Sequence, residues 1–396
     1  MKIIRHALAS GAALSLVLAA GPAFARDHHE EAGAKTAEMS EHDKLFALFA
    51  ESDARGLEIN PLGRLFRGDD RNADRLGDFL TDSNYQANKL NTQLNLAKLE
   101  LIDRSKLSET DQLAYDVFRY NQETALRGQT DEIRALTEVR PVNHFSGFHT
   151  FYPEFASGAS TAQFKTVANY EDNLSRHDDY IAISGRAIDK FREGMESGVL
   201  ETKLTINNVV QQLDTLLAIP IENSQYMKPV QNFPEDFSEA EKTRLAAAYE
   251  AKTREIYAAD TRMRDFLRDE YLPVARESVG LSQMQGGEKL YAQMIEQTTT
   301  LPLTAQQIHD TGLAEVARIN AAIDAAEAEA GGRTGATYTS KADLQAAWYE
   351  VAEQVDPLMD EVFLRQPETE LRIEPYEPYR EKFSLAASYM AGKADG

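Results

Sequence analysis

Ser238-Glu239-Ala240-Glu241-Lys242-Thr243-Arg244-Leu245 opens a stretch that reaches Pro273 without a glycine or an earlier proline. Serine followed three residues later by glutamate is a capping box, in which hydroxyl and carboxylate satisfy first-turn N–H groups reciprocally. Behind it Leu245, Ala248, Tyr249, Ile256, Met263, Phe266 and Leu267 keep an apolar stripe along one helical face. The same pattern recurs on both sides. Ser108-Glu109-Thr110-Asp111 starts a helix through Leu113, Val117 and Phe118, with its acids at the positive helix end. Thr304-Ala305-Gln306-Gln307 starts another, with Ile308, Leu313, Val316 and Ile319 in its stripe and Gly331-Gly332 as its stop. Ser340 caps a third, through Leu344, Trp348, Val351, Val355 and Leu358. Few stretches alternate with period two, so the sequence predicts an all-α fold of mostly long helices. A small β element is expected near the C-terminus, from Leu371-Arg372-Ile373 and Leu385 to Met390.

At the N-terminus Lys2 and Arg5 precede an apolar run from Ala7 to Ala20, followed by Gly21-Pro22 and the small-x-small triplet Ala23-Phe24-Ala25. This is the layout of a secretory signal, with cleavage expected after Ala25. The run is shorter than the roughly 20 apolar residues that span a bilayer, so no membrane anchor is expected after cleavage. Residues 26–41 are polar and read as a disordered leader, and residues 42–396 as one helical domain of an exported, most simply periplasmic, protein. The chain has no cysteine, which removes lipidation at an N-terminal cysteine, disulfides, thiolate metal sites and cysteine nucleophiles. A net charge of −22 opposes binding to nucleic acid or anionic lipid.

One segment between the helices is unusual. Pro141 to Phe155 gathers Asn143, His144, Phe145, Gly147, Phe148, His149, Phe151, Tyr152 and Pro153. Aromatics this dense on a loop marked by glycine and proline pack either on the core or on a ligand. On the second reading Asn143, His149 and Tyr152 are the candidate substrate-binding residues.

Complete catalytic motifs are missing. The eight histidines are His6, His28, His29, His42, His144, His149, His177 and His309, and no pair forms His-Glu-x-x-His. His144 and His149 are five apart, off the spacing that puts two side chains on one helical face. Phosphate-binding glycine loops and the Gly-x-Ser-x-Gly elbow are absent as well. The sequence therefore names no catalytic residue, no metal ligand and no cofactor for this chain.

An ordered series of short segments carries a resemblance. It consists of Pro141-Val142-Asn143 with Gly147, Tyr170-Glu171-Asp172-Asn173-Leu174-Ser175-Arg176, Arg192-Glu193-Gly194-Met195-Glu196-Ser197-Gly198 and Glu270-Tyr271-Leu272-Pro273. Gly287 with Tyr291, Thr298-Thr299-Thr300, and Ile308-His309 through Gly312, Glu315, Val316 and Arg318 follow in order. From about residue 45 to Gly396 the chain resembles the bacterial family called domain of unknown function 885. The resemblance implies a zincin-metallopeptidase-like hydrolase, largely helical, with a small sheet beside the cleft. Family members carry a His-Glu-x-x-Pro-Gly-His-His zinc motif and a later Glu-Gly-Trp segment, both beyond the point matching Gly396. No ligand or base is carried over to a position here, and zinc is expected only in full-length relatives. What matches is the N-terminal, cleft-walling part and the onset of the sheet, Leu385 to Gly396. The closing Asp395-Gly396 is a favoured hairpin turn with no strand after it, which reads as a chain cut short.

Two functions follow as expectations. In the first, the chain is the non-catalytic N-terminal part of an exported zinc-peptidase-like hydrolase, acting on peptides with a separately encoded or lost C-terminal half. In the second, it is a periplasmic helical module that binds peptides or a protein through the Phe145–Phe155 segment.

Overall fold

The computed structural model describes residues 39–332, 335–366, 370–384 and 387–389. The signal peptide, most of the leader, and Leu385 to Gly396 apart from residues 387–389 lie outside them. The helical unit begins at Ser40. Ser40 caps the first helix through a hydrogen bond from the Asp43 N–H, so the last residues assigned to the leader already belong to the folded unit.

In chain order the helices are α1 (Glu41–Ile59), α2 (Leu62–Leu65), α3 (Asp82–Leu99), α4 (Glu109–Gly128) and α5 (Asp131–Thr137). They continue with α6 (Phe148–Ala156), α7 (Val167–Ser197), α8 (Lys203–Leu217), α9 (Glu239–Asp265) and α10 (Gly287–Thr299). Last come α11 (Ala305–Glu329), α12 (Lys341–Val355), α13 (Met359–Val362) and α14 (Pro378–Glu381). Ser108, Ser238, Thr304 and Ser340 all cap as their sequence signatures require, Ser238 and Thr304 in full capping boxes.

The centre of the unit is the packing of α7 on α9 and α8. Thr166 and Asn169 form a capping box at the start of α7, and Gly198 ends it at φ 76°, a conformation that suits a residue without a Cβ. Along its 31 residues Tyr170, Asn173, His177, Tyr180, Ser184, Ala187 and Phe191 recur at three- and four-residue steps, and all are buried. The C-terminal half of this stripe meets Ile206, Val209 and Leu213 of α8 and Met263 of α9. Full burial of a side chain such as Phe191 contributes about 1.5–3 kcal/mol.

Beyond Asp265, α9 widens into a π-helical turn over Phe266–Tyr271, where the Leu272 N–H donates to the Leu267 carbonyl at 2.9 Å. Pro273 has no N–H with which to carry the helix further. The widened turn seats Phe266, Leu267 and Tyr271 in the core. Tyr271 lies 4.7 Å from Phe191 between ring centres, and its hydroxyl accepts the Glu201 N–H at 2.7 Å. A separate cluster of Leu45, Leu48, Leu99, Ile102, Leu107 and Tyr115 holds α1, α3 and α4 together.

Three expectations are corrected. Among the described residues there is no strand, only an isolated parallel bridge between Thr202 and Arg276. Leu371-Arg372-Ile373 joins no ladder, and α12 side chains bond the Ile373 backbone in place of a neighbouring strand. The Tyr349 hydroxyl accepts the Ile373 N–H, and the Gln345 amide donates to the Ile373 carbonyl. Of the stripe expected on α4, Phe118 packs against the core beside the buried Tyr115, while Leu113 and Val117 are exposed. The Gly- and Pro-marked loop at 141–155 is half helix: α6 spans Phe148–Ala156 with Pro153 inside it.

Candidate functional site

The aromatic segment and the polar face of α7 meet in the interior, and together they form the candidate site. It begins at Asn143, whose Oδ1 accepts the N–H groups of Phe145 and Ser146 at 2.8 and 2.9 Å. That Asx turn delivers the chain to Gly147, the N-cap of α6, whose carbonyl accepts from the Thr150 N–H and hydroxyl. A Cβ at Gly147 would lie 2.5 Å from His149 Nδ1 and 2.7 Å from the Asn143 carbonyl oxygen, so this approach admits only glycine. Pro153 denies α6 one backbone hydrogen bond. The helix forms nevertheless, because His149, Thr150, Tyr152, Pro153, Phe155 and Ala156 are all buried.

His149 is enclosed. Its Nε2–H donates to Gln212 Oε1 at 2.9 Å, and Gln212 in turn donates to the His144 carbonyl at 2.9 Å. This leaves His149 Nδ1 without a hydrogen-bond partner. Burial dominates over the Gln212 bond and lowers the imidazole pKa to about 4, so the ring is neutral at pH 7.

Tyr152 is stacked on Tyr180 at 4.5 Å and hydrogen-bonded to His177 Nδ1 at 2.7 Å. Burial, aided by the nearby charges of Arg176 and Lys252, pushes His177 down to about 3. The phenols of Tyr152, Tyr180 and Tyr226 are all held well above their usual range by burial. Asn173, one turn before His177 on α7, donates to the Tyr249 hydroxyl at 3.1 Å, which donates to the Tyr170 carbonyl.

Asp260 of α9 closes the network. The Tyr180 hydroxyl donates to its Oδ1 at 2.8 Å, while Oδ2 is buried with no hydrogen-bond partner. Burial raises this carboxyl to about 7 against the smaller opposing effects of the Tyr180 bond and Arg262. Arg176 is also buried. It donates to the Ala73 carbonyl and to Asn173 Oδ1, and its guanidinium lies 5.5 Å from the Phe155 ring centre. From the C-terminal segment, the Tyr379 hydroxyl donates to the Thr150 carbonyl at 3.1 Å.

Chemically this is a set of neutral imidazoles, un-ionised phenols and one acid poised near neutrality, shut inside the helical packing. His149 and Tyr152 turn inward, and Asn143 spends its side-chain oxygen on its own loop. In the same segment the exposed aromatics are Phe145 and Phe151. His177, Tyr180, Tyr226 and Asp260 were not singled out from the sequence as site residues. For α7 the signal is a polar residue, Asn173, His177 or Ser184, at positions where its stripe would take an apolar one; Tyr226 and Asp260, on other elements, carry no such mark.

A zinc ion, implied by the family resemblance, has no matching donor set here. Among the described residues no three His, Asp or Glu side chains converge. His149 and His177 bind uncharged partners, Gln212 and Tyr152.

A sequence profile described as "Bacterial protein of unknown function (DUF885)" matches residues 61–396, most of the chain. No curated protein matches. Four solved chains match. Among them is a crystal structure described as that of a "putative lipoprotein" from Colwellia psychrerythraea, 16% identical, with a TM-score of 0.71. The superposition takes in 87% of this chain but spans only 64% of that one. At this identity the likeness is one of fold. No helix among the described residues is long and apolar enough to cross a membrane.

Proposed function

The chain belongs to the DUF885 family of bacterial proteins, and from that premise we propose that it is the N-terminal, cleft-walling part of an exported zinc-metallopeptidase-like hydrolase, not catalytic by itself. The observation that carries this reading is the incomplete span. The chain accounts for 64% of a related structure, so over a third of that fold has no counterpart here. In this reading the α6–α7–α9 core is a rigid wall. Asn143, His149 and Tyr152 set its shape by fixing the Asn143–Gly147 turn and the seat of α6, and peptide substrate meets the surface they support. Zinc, where present, would be held by the part of the fold that this chain lacks and would supply the activated water for hydrolysis. Export rests on the N-terminal signal layout ending at Ala25.

The test is to isolate the mature product from the cell envelope of the native host and measure its intact mass, zinc content and peptide hydrolysis. Expected are a protein or assembly heavier than residues 26–396, zinc in that assembly, and peptidase activity lost when the two parts are separated. A stable, inactive, zinc-free product of residues 26–396 alone would overturn the proposal.

A further inference from the structure

α11 and α12 leave their apolar faces uncovered. On α11, Leu313, Val316, Ile319 and Ile323 recur every three or four residues and are all exposed. On α12, Leu344, Trp348, Val351 and Val355 do the same at steps of four, three and four. Neither helix buries a single residue. Trp348, the only tryptophan in the chain, is 50% exposed. A helix with one apolar stripe normally turns it to the core and its charges to water. Here α12 leaves its stripe uncovered and bonds to the rest of the unit through polar groups: Gln345 and Tyr349 to Ile373, and Lys341 to Glu381. Single exposed apolar residues are ordinary, but two periodic stripes are the mark of an interface.

We propose that these two stripes are a docking surface, and that their occupant is the portion of the family fold that this chain does not contain. This inference rests on the incomplete-span reading above. The related structure has over a third of its length without a counterpart here, while the matched part covers most of this chain, so a polypeptide of that fold is available to cover both stripes. The charge around them states what it must carry. α11 holds Asp310, Glu315, Asp324, Glu327 and Glu329 against Arg318, and α12 holds Asp343, Glu350 and Glu353 against Lys341. The occupant is therefore an aliphatic or aromatic face flanked by lysine and arginine.

The test places the photo-crosslinking residue p-benzoylphenylalanine at Val316 or Val351 of the full chain, expressed in its native host. Glu250 on α9 is the control position. The expected result is crosslinking from 316 and 351, not from 250, to a peptide that continues the family fold, on this polypeptide or another. Crosslinks to a second copy of this chain, to lipid or to a protein outside the family overturn the proposal, as does no crosslink at all. Val316→Lys with Val351→Lys should leave the melting temperature of the purified chain unchanged and abolish the association. A marked fall in melting temperature would mean that the stripes are already covered within this chain. Docking to a family segment without zinc or peptidase activity would keep this surface and reject the hydrolase instead.

Discussion

Asp260→Asn should change how stability depends on pH, because one carboxyl is held in the core with a single hydrogen bond. Burial raises its pKa from 3.8 to about 7. Below pH 3.8 the group is protonated in both folded and unfolded chains and contributes no pH dependence. Between 3.8 and 7 the unfolded chain gives up the proton and the folded chain keeps it, so stability falls as pH rises. About three pKa units at 1.36 kcal/mol each correspond to about 4 kcal/mol lost by pH 8. His149 and His177 act in the opposite sense. Their pKa values are depressed from 6.5 to about 4 and about 3, so their contribution is complete above 6.5 and is lost as pH falls towards the folded values. The wild-type chain should therefore gain stability up to about pH 6.5 and stop gaining there. Asparagine keeps an oxygen that can accept from Tyr180 and cannot ionise. The variant should gain on the wild type from pH 4.5 to about 7 and level off above it, by about 3 kcal/mol across that range. Urea unfolding followed by far-ultraviolet circular dichroism reads this directly, since the unit is helical throughout, whereas Trp348 is too exposed to report on the core. A difference between the two proteins that varies by less than about 1 kcal/mol across that range would show that Asp260 is not desolvated as argued.

Other perturbations probe neighbouring parts of the argument. Tyr152→Phe removes the 2.7 Å bond to His177 and leaves a buried imidazole nitrogen unpaired, which should cost about 1–3 kcal/mol in urea unfolding with the fold intact by circular dichroism. Gly287→Ala places a Cβ 1.7 Å from the Leu281 carbonyl oxygen and should lower stability by about 3 kcal/mol or prevent soluble expression, whereas Gly312→Ala, with nothing near its Cβ, should be neutral or slightly stabilising. Gly147→Ala should force the His149 ring from its place beside Gln212, visible as a shift in the histidine ring resonances by NMR. Dialysis of residues 26–396 against zinc should leave no stoichiometric metal, and one tightly held zinc per chain would reverse the assignment of the metal to the missing portion.

The sequence alone determined the helical class and four helix starts, at Ser108, Ser238, Thr304 and Ser340. Capping is local chemistry: Ser238 with Glu241 and Thr304 with Gln307 are three residues apart, and nothing distant is needed to form them. The family was also legible, because short segments in fixed order survive as a pattern without coordinates. Tertiary structure decided which face of each helix is covered. Periodicity shows that α4, α11 and α12 are amphipathic, but it cannot show whether a partner lies against the stripe. Leu113, Leu344 and Trp348 are exposed for that reason. It also decided against a sheet at Ile373, where Tyr349 and Gln345, more than twenty residues earlier, satisfy the backbone. The polar interior was half visible. Asn173, His177 and Tyr180 stand at core positions of α7, but the partners that make them a network, Tyr249, Tyr152 and Asp260, come from α6 and α9. Only the crossing of those helices brings them within hydrogen-bonding distance, and only the burial that results shifts their ionisation.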